Sequence, residues 1–170
     1  MNEILTALKK IRTSGQTIAL TGAGISAPSG IPDFRSAYGL WKKYDPSVYA
    51  DIRTFRREPL KVWDLAMTLL DLSLKAQPNR AHIALAMMEE RSLLHGIITQ
   101  NIDNLHRRAG SRNVINYHGE LGSAICVDCN VTANVEPGAV PVCENCGKIM
   151  KPAFTMFGES VPPAAYLEAR

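Results

Sequence analysis

The feature that most constrains the fold of this chain is a glycine-rich loop placed directly after a short apolar run. Residues 17–21, TIALT, have the length and composition of a buried strand. The following residues 22–27, GAGISA, fit the pattern G-x-G-x-x-G/A, whose small residues let backbone N–H groups approach a pyrophosphate. A tight turn from strand to helix has the same composition, so the pattern alone leaves both interpretations open.

Strands and helices alternate along the chain, which is the order of a parallel α/β sheet. Apolar runs predict two more strands, at residues 96–99 and 114–117. Helices are indicated by apolar spacing, by a proline in a first turn and by an asparagine cap. They are predicted at residues 4–11, 60–75, 79–91 and 164–170, with short helices and loops at 37–57. This order implies parallel strands joined by right-handed crossovers.

A polar cluster follows each of the three predicted strands. TGAG comes after the first strand, QNID at residues 100–103 after the second, and HGE at residues 118–120 after the third. Ligands of parallel α/β sheets bind beyond the carboxyl ends of the strands. We therefore expect all three clusters to meet at one edge of the sheet.

Prolines beside the glycine loop change the type of site that it predicts. Pro28 and Pro32 prevent the long regular helix that a hydride-transferring dehydrogenase places after this loop. About 20 residues further on, such enzymes carry a strand-end acid for the ribose, but residues 43–46 of this chain read KYDP in a predicted loop. The sequence therefore favours a dinucleotide site and argues against hydride transfer.

All four cysteines belong to two Cys-x-x-Cys pairs, Cys126 with Cys129 and Cys143 with Cys146, separated by 13 residues. Paired thiolates at this spacing, with Gly147 relieving the second turn, are typical of tetrahedral zinc in a reducing compartment. A redox dithiol and four unrelated thiols are the alternatives. Four sulfur ligands leave no open coordination position, so the ion is expected to be structural.

Four histidines are candidates for a general base, and their positions distinguish them. His82 and His95 flank or lie in predicted helices, and His106 lies one turn beyond Asp103 on a helix whose packing sets its direction. His118 directly follows a strand at the predicted binding edge, where a general base is useful. His118 is therefore the predicted base.

Charge and apolar distribution argue against several classes of protein. The net charge is +3, and the basic clusters near residues 53–57 and 107–112 are short, which argues against nucleic acid as a partner. No run of about 18 apolar residues occurs, and the N-terminus has no apolar signal segment, so no membrane contact or secretion is predicted. We expect a cytoplasmic protein.

Five motifs of this chain together resemble the sirtuin family of NAD-dependent protein lysine deacylases. They occur in the family's order over nearly the whole chain from residue 17 onward. They are GAGISAPSGIPDFR, TQNID followed by Leu105-His106, His118-Gly119, the paired Cys-x-x-Cys, and Phe157-Gly158-Glu159. The resemblance implies a Rossmann-like α/β fold, NAD as cofactor, a Zn²⁺ ion, and acylated-lysine proteins or peptides as substrates.

The resemblance also implies roles for individual residues. The glycine loop would hold the NAD phosphates, the segment after it would close over the nicotinamide ribose as a mobile lid, and the QNID loop would form the nicotinamide pocket. The implied cofactor-binding residues are Gly22, Ala23, Gly24, Ile25, Asp33, Phe34, Arg35, Gln100, Asn101, Ile102 and Asp103. His118 and Asn101 are the implied catalytic residues, and His118 would help to deprotonate a ribose hydroxyl. The products would be free lysine, nicotinamide and O-acyl-ADP-ribose.

The chain departs from the family pattern at several positions. Phe154-Thr155 stand where the family usually has two valines, in the strand that pairs with the substrate peptide, and Asn104 replaces a glycine. Ala66 and Leu69 stand where relatives that remove succinyl or malonyl groups carry a tyrosine and an arginine. Neither residue can pair with a carboxylate, so uncharged acyl groups are expected.

The predicted architecture is a Rossmann-like parallel sheet with helices on both faces, incomplete at its C-terminal end, plus a small zinc-ribbon module. The sheet part comprises residues 1–120 and 153–170, and the zinc module comprises residues 121–152. Without the half of the sheet that contacts the adenosine, the chain is expected to bind NAD poorly, to turn over acyl-lysine slowly or not at all, and to associate through an uncovered edge. Two other functions stay open: a mono-ADP-ribosyltransferase and a non-catalytic zinc-ribbon binding module.

Overall fold

The structure, a computed structural model, describes residues 2–14, 16–33 and 39–170. Its helices are α1 Asn2–Ser14, α2 Pro46–Tyr49, α3 Ile52–Arg57, α4 Pro59–Lys75, α5 Arg80–Glu90, α6 Leu105–Arg108 and α7 Pro163–Glu168. Its strands are β1 Ile18–Thr21, β2 Gly96–Thr99, β3 Val114–Asn116, β4 Gly119–Ile125, β5 Thr132–Asn134 and β6 Lys151–Phe154. Among the described residues, no helix combines the length and apolar content needed to cross a membrane. The cytoplasmic location stays a prediction, as does the absence of a nucleic-acid partner.

The first three strands form a parallel sheet in the order β1-β2-β3. Ala19, Ile97 and Val114 are neighbours across one face, and Leu85 and Met88 of α5 pack against them. Burying a large aliphatic side chain in this way contributes about 1.5–3 kcal/mol. The predicted parallel α/β fold is confirmed.

The opposite face of β1 is open to solvent. Ile18 and Leu20 are 54% and 71% exposed, and they point away from Ala19 because successive side chains of a strand alternate. Within the described ranges, β1 pairs only with β2 and is an edge strand. The sheet therefore has both an unpaired strand edge and an apolar surface on this side.

A second sheet is antiparallel, in the order β5-β4-β6. It carries the four cysteines, and residues 121–152 are called the cysteine region below. Its buried side chains, including Leu121 and Met150, join those of α4 in one large apolar cluster. Trp63 of α4 reinforces this contact, because its indole N–H donates to the carbonyl of Met150 at 2.8 Å. The cluster is therefore a core that residues 121–152 share with the rest of the chain. That residues 121–152 form a separate zinc module stays a prediction.

Local signals set the starts of the two long helices. Pro59 occupies the first turn of α4. Asn79 caps α5, since its side-chain oxygen accepts from the backbone N–H of Ala81 at 2.9 Å, and His82 completes a capping box. Both helices therefore begin where the sequence indicates.

The glycine loop after β1 folds into two short 3-10 turns, Ala23–Ile25 and Ala27–Ser29. Pro28 lies within the second turn, and Gly30 ends it at a φ of 89°, a left-handed conformation that favours glycine. These two turns stand where a dehydrogenase would have a long helix, in agreement with the expectation from the prolines.

The predicted lid follows these turns, and part of it cannot be compared with the structure. Phe34 and Arg35 lie outside the described residues. Asp33 is described, and its carbonyl accepts the backbone N–H of Leu40 at 2.8 Å. This bond joins Asp33 to the short turn Leu40–Lys42.

Candidate active site

A cavity of about 490 Å³ lies where the loops after β1, β2 and β3 meet. Its walls come from these loops, from α4 and from the end of β6. The lining residues are Ala23, Gly24, Asp33, Trp41, Ala50, Leu65, Leu69, Gln100, Asn101, Ile102, His118, Phe154, Thr155 and Phe157. All three polar clusters therefore contribute to one cavity, as the sequence order of strands and clusters predicts.

The cavity lining combines a polar loop surface with an aliphatic surface. A Cβ atom built on Gly22 or Gly24 would meet no other atom within 4 Å, so open space lies beside the glycine loop. Leu65 and Leu69 contribute side chains from α4. Such a lining suits a ligand that has both a charged part and an apolar part.

The predicted cofactor-binding residues divide into two groups in the structure. Those that line the cavity are Ala23, Gly24, Asp33, Gln100, Asn101 and Ile102. Gly22, Ile25 and Asp103 are neighbours of this surface and not part of its lining. Contact of any of these residues with a cofactor stays a prediction.

A buried hydrogen-bond network joins the glycine loop to the loop after β2. Ser26, which is 1% exposed, donates from its hydroxyl to Asp103 Oδ2 at 2.6 Å and accepts from Asn101 Nδ2 at 3.0 Å. Asn101 Nδ2 also donates to the carbonyl of Gly22 at 3.2 Å. A hydrogen bond to a charged group contributes about 1.5–3 kcal/mol, so the Ser26–Asp103 bond is the strongest link between the loops.

Asp103 supports the loop after β2 from behind the cavity. Its Oδ1 atom accepts from the backbone N–H of Leu105 at 2.9 Å, at the start of α6. Its carbonyl accepts from the hydroxyl of Ser73 on α4 at 2.8 Å. The loop that carries Gln100, Asn101 and Ile102 is therefore anchored to two helices.

His118 reaches the cavity from the turn between β3 and β4. Its carbonyl accepts the backbone N–H of Thr155 at 2.8 Å, which ties the histidine to the end of β6. Gly119 has a φ of 82°, and a Cβ at this position would collide with the carbonyl oxygen of Ala153. The His118-Gly119 pair thus joins the two sheets at the cavity, and only glycine fits the second position.

An ion pair between buried Lys151 and partly buried Glu159 shapes the segment that brings Phe154 and Thr155 to the cavity. Lys151, which is 7% exposed, donates from Nζ to the carbonyl of Phe154 at 2.8 Å and to Glu159 Oε2 at 3.0 Å. Glu159 Oε2 also accepts from the backbone N–H of Met156 at 2.9 Å. Removing Glu159 would leave the buried Lys151 charge without its carboxylate partner, at a cost of up to about 3–5 kcal/mol.

Two further histidines are buried beneath the site. The rings of His82 and His106 lie 4.8 Å apart, and His106 Nε2 is 2.9 Å from the hydroxyl of Thr21. Burial lowers the pKa of both, that of His106 to about 4. Both rings are therefore neutral near pH 7 and act as packing groups of the interior.

The four cysteines come together as the sequence predicts. Their sulfur atoms all lie within 4.8 Å of one another, and those of Cys126 and Cys146 are 3.6 Å apart. Tetrahedral zinc with Zn–S bonds of about 2.3 Å places its sulfurs about 3.8 Å apart, so the tetrad fits this ion. The backbone N–H of Cys129 donates to Cys126 Sγ at 3.4 Å and lowers the pKa of the Cys126 thiol to about 7, while contact with the Cys146 thiol raises the pKa of Cys129.

Comparison with known sequences gives consistent matches. The model of the Sir2 family matches residues 22–169. NAD-dependent protein deacylase 1 of Archaeoglobus fulgidus is 45% identical over 92% of this chain and 65% of its own length. The NAD-dependent protein deacetylase of Thermotoga maritima is 43% identical over 99% of this chain and 70% of its own length. The chain thus spans about two thirds of the length of these relatives.

Solved structures match over the same extent. A complex of a Sir2 homologue with NAD has a TM-score of 0.88 at 43% identity and covers 96% of this chain and 66% of its own. A Sir2 variant with a deacetylated p53 peptide and 3'-O-acetyl ADP ribose has a TM-score of 0.89 at 41% identity. The match covers 98% of this chain and 70% of that structure's chain. Because the family model matches most of its residues and its fold is like that of these structures, the chain belongs to the Sir2 family, the sirtuins.

Proposed function

We propose that the chain carries out NAD-dependent protein lysine deacylation, with nicotinamide and O-acyl-ADP-ribose as products. The observation that carries the proposal is that the loops after all three parallel strands line one cavity that includes His118. The relatives support it, since their names describe NAD-dependent deacylases, and one matched structure is an NAD complex.

In this proposal the two polar loops bind and orient the cofactor. NAD supplies the ribose carbon that the acyl-lysine oxygen attacks as nicotinamide leaves. The glycine loop offers backbone N–H groups and the open space beside Gly22 and Gly24 to the phosphates. Gln100, Asn101 and Ile102 form the nicotinamide side of the cavity. Because positive charge develops on the ribose, orientation and exclusion of water matter more here than a strong nucleophile.

His118 acts as the general base in the proposed reaction. Its imidazole would accept the proton of a ribose hydroxyl as the hydroxyl oxygen bonds to the acyl carbon. Addition of one water and cleavage of the bond between the acyl carbon and the lysine nitrogen would then release free lysine and leave the acyl group on ADP-ribose. The link between its carbonyl and Thr155 holds the residue next to the strand end that would carry the substrate peptide. This backbone hydrogen bond therefore keeps the proposed base next to the strand end that would carry the substrate.

The aliphatic surface of the cavity suits the lysine stem and an uncharged acyl group. Leu65, Leu69 and Phe154 line this part, and Ala66 is buried beside them at 2% exposure. An apolar surface favours a neutral chain and makes burial of an unpaired carboxylate costly. We infer acyl-lysine proteins or peptides with neutral acyl groups as the substrates.

Zinc has a separate, structural role in the proposal. The four thiols would hold Zn²⁺ through sulfur alone and leave no position for a substrate. The ion would hold the two cysteine turns together at the edge of the antiparallel sheet. Chemistry at the cavity would depend on it only through the fold.

Product analysis tests the proposed function directly. The chain is incubated with NAD and an acetyl-lysine peptide, and the mixture is analysed by mass spectrometry. Equal amounts of nicotinamide and O-acetyl-ADP-ribose are expected, together with free lysine peptide. ADP-ribose attached to protein, without O-acetyl-ADP-ribose, would favour the mono-ADP-ribosyltransferase instead. Absence of both products from folded, zinc-loaded chain would refute the proposal.

A further inference from the structure

Asn79 makes more hydrogen bonds than a helix cap requires. Its side-chain oxygen accepts from the backbone N–H of Ala81 at 2.9 Å, which caps α5. Its side-chain nitrogen donates to the carbonyl of Ile25 at 2.7 Å and to the hydroxyl of Ser29 at 2.9 Å. These two partners belong to the glycine loop, 54 and 50 residues earlier in the chain. One side chain therefore caps a helix and holds a loop.

The two roles use different atoms of the amide group. Capping needs only a side-chain oxygen, and aspartate is as good an N-cap as asparagine. Holding the loop needs two N–H donors, which the amide has and an ionised carboxylate lacks. A substitution can therefore remove the contacts with the loop and keep the cap.

Asn79 holds the loop at two further points, the carbonyl of Ile25 and the hydroxyl of Ser29. The network around Asn101 binds the loop at Gly22 and Ser26. Asn79 binds it at the end of the turn Ala23–Ile25 and again in the following turn. The segment between these anchors contributes Ala23 and Gly24 to the cavity. Its orientation is thus fixed from both ends.

Asn79 itself does not line the cavity, so any effect on a ligand must pass through the loop. We propose that Asn79 is a positioning residue that sets the orientation of the phosphate-facing turn. It thereby controls affinity for the ADP-ribose part of NAD, whereas residues 100–102 recognise the nicotinamide part from a loop that Asp103 also anchors to α4 and α6. This inference rests on the proposed function, because that function assigns the phosphates to the glycine loop.

Asn79→Asp is the variant that separates the two roles. It keeps an oxygen for the cap of α5, removes both donated bonds and sets a carboxylate against the carbonyl of Ile25. Asn113→Asp is the matched control, because Asn113 Nδ2 donates to the carbonyl of His95 at 2.7 Å, at the amino end of β2. The same chemical change is then made at the opposite end of the sheet from the cavity.

Binding of two fragments of the cofactor distinguishes positioning from a general loss of structure. ADP-ribose and nicotinamide are titrated separately, up to millimolar concentrations, into the unaltered chain and both variants, with chemical shifts as the readout. We expect Asn79→Asp to raise the dissociation constant for ADP-ribose at least about tenfold, or ~1.4 kcal/mol, and to change that for nicotinamide by less than about twofold. Asn113→Asp should change neither constant.

The outcomes separate this inference from the proposed function. The inference is overturned if Asn79→Asp leaves the affinity for ADP-ribose unchanged. It is also overturned if the affinities for ADP-ribose and nicotinamide fall by the same factor. An unaltered chain that binds nicotinamide and no ADP-ribose also overturns it, because the phosphate site is then absent. If ADP-ribose affinity depends on Asn79 but the chain forms no O-acyl-ADP-ribose, the inference stands and the deacylase proposal is refuted.

Discussion

Among the histidines of the described chain, His118 lines the cavity, while His82 and His106 are buried in the interior. We expect His118→Ala to slow acyl transfer by about 10²–10⁴, the usual effect of losing a general base. NAD affinity should change little, because the base acts after the cofactor is bound. Rates of O-acyl-ADP-ribose formation and the dissociation constant for NAD measure these effects. His95→Ala is the control, since His95 is exposed at the far end of β2, and equal rate losses in both variants would contradict the role.

Leu69 should favour neutral acyl groups in the aliphatic part of the cavity. It lines the cavity from α4 and cannot pair with a carboxylate, so acetyl-lysine should react at least about tenfold faster than succinyl-lysine, a difference of ~1.4 kcal/mol. The values of kcat/KM for the two peptides measure this ratio. Leu69→Arg should lower the ratio by offering a partner to the succinyl carboxylate, and Leu69→Met should not. Faster reaction of succinyl-lysine with the unaltered chain would refute the assignment.

His82 and His106 make the folded state sensitive to acid. Burial lowers both pKa values, that of His106 from 6.5 to about 4, so the unfolded chain takes up protons below about pH 6.5 while the folded chain does not. The free energy of unfolding should therefore fall as the pH drops below about 6.5, by up to ~1.4 kcal/mol per pH unit for each histidine, and for His106 down to about pH 4. Urea unfolding near pH 7 and pH 5.5 measures the loss.

His106→Gln is the matched variant for this pH dependence. It removes one titrating ring and keeps a polar group that can reach Thr21, while protonation of the cysteine thiols affects both proteins alike. The variant should lose less stability over the same pH interval. Equal losses in the two proteins would show that His106 does not contribute.

At the scale of elements, local sequence signals account for most of the fold. Pro59 and Asn79 mark the starts of α4 and α5, and short apolar runs mark β1, β2 and β3. These signals suffice because each depends on neighbours within a few residues. The motif resemblance to sirtuins is confirmed by the family match.

The contacts that hold the candidate site together could not be predicted in this way. Ser26 and Asp103 are 77 residues apart, so their bond depends on how the strands are ordered and not on any local pattern. Lys151 reads locally as an ordinary strand residue, yet its ammonium group is buried against Glu159. The sequence indicated which loops meet and left open which side chains join them.

The cysteine region should depend on metal for its structure. Zinc bound by four thiolates can contribute on the order of 10 kcal/mol of folding free energy, in addition to the apolar contacts that this region makes with α4. Trp63 reports on this region, since its indole N–H is bonded to Met150, next to β6. Chelation should therefore release zinc, shift the tryptophan emission and reduce the circular dichroism signal. Unchanged spectra after verified loss of metal would contradict a structural role.

At the scale of the whole molecule, the cavity depends on both sheets. Asn101 and His118 come from loops of the parallel sheet, and Phe154 and Thr155 come from the end of β6 in the antiparallel sheet. The cysteine region and α4 share one apolar cluster with Phe154. Loss of metal should therefore disturb the side of the cavity formed by Phe154 and Thr155 more than the glycine loop.

The open face of β1 should control how the whole molecule behaves in solution. An unpaired strand edge next to exposed Ile18 and Leu20 is a template for pairing with another chain. We expect the chain to self-associate reversibly, because burying these side chains recovers apolar surface that the described fold leaves in water. Leu20→Lys places a charge on this surface and should shift the equilibrium towards monomer. Sedimentation equilibrium over a range of protein concentrations measures the association constant.

Leu74→Lys is the matched control, because Leu74 is 55% exposed on α4 and lies away from β1. A chain that stays monomeric at all concentrations would refute the prediction, and equal effects of the two substitutions would show that association does not use β1.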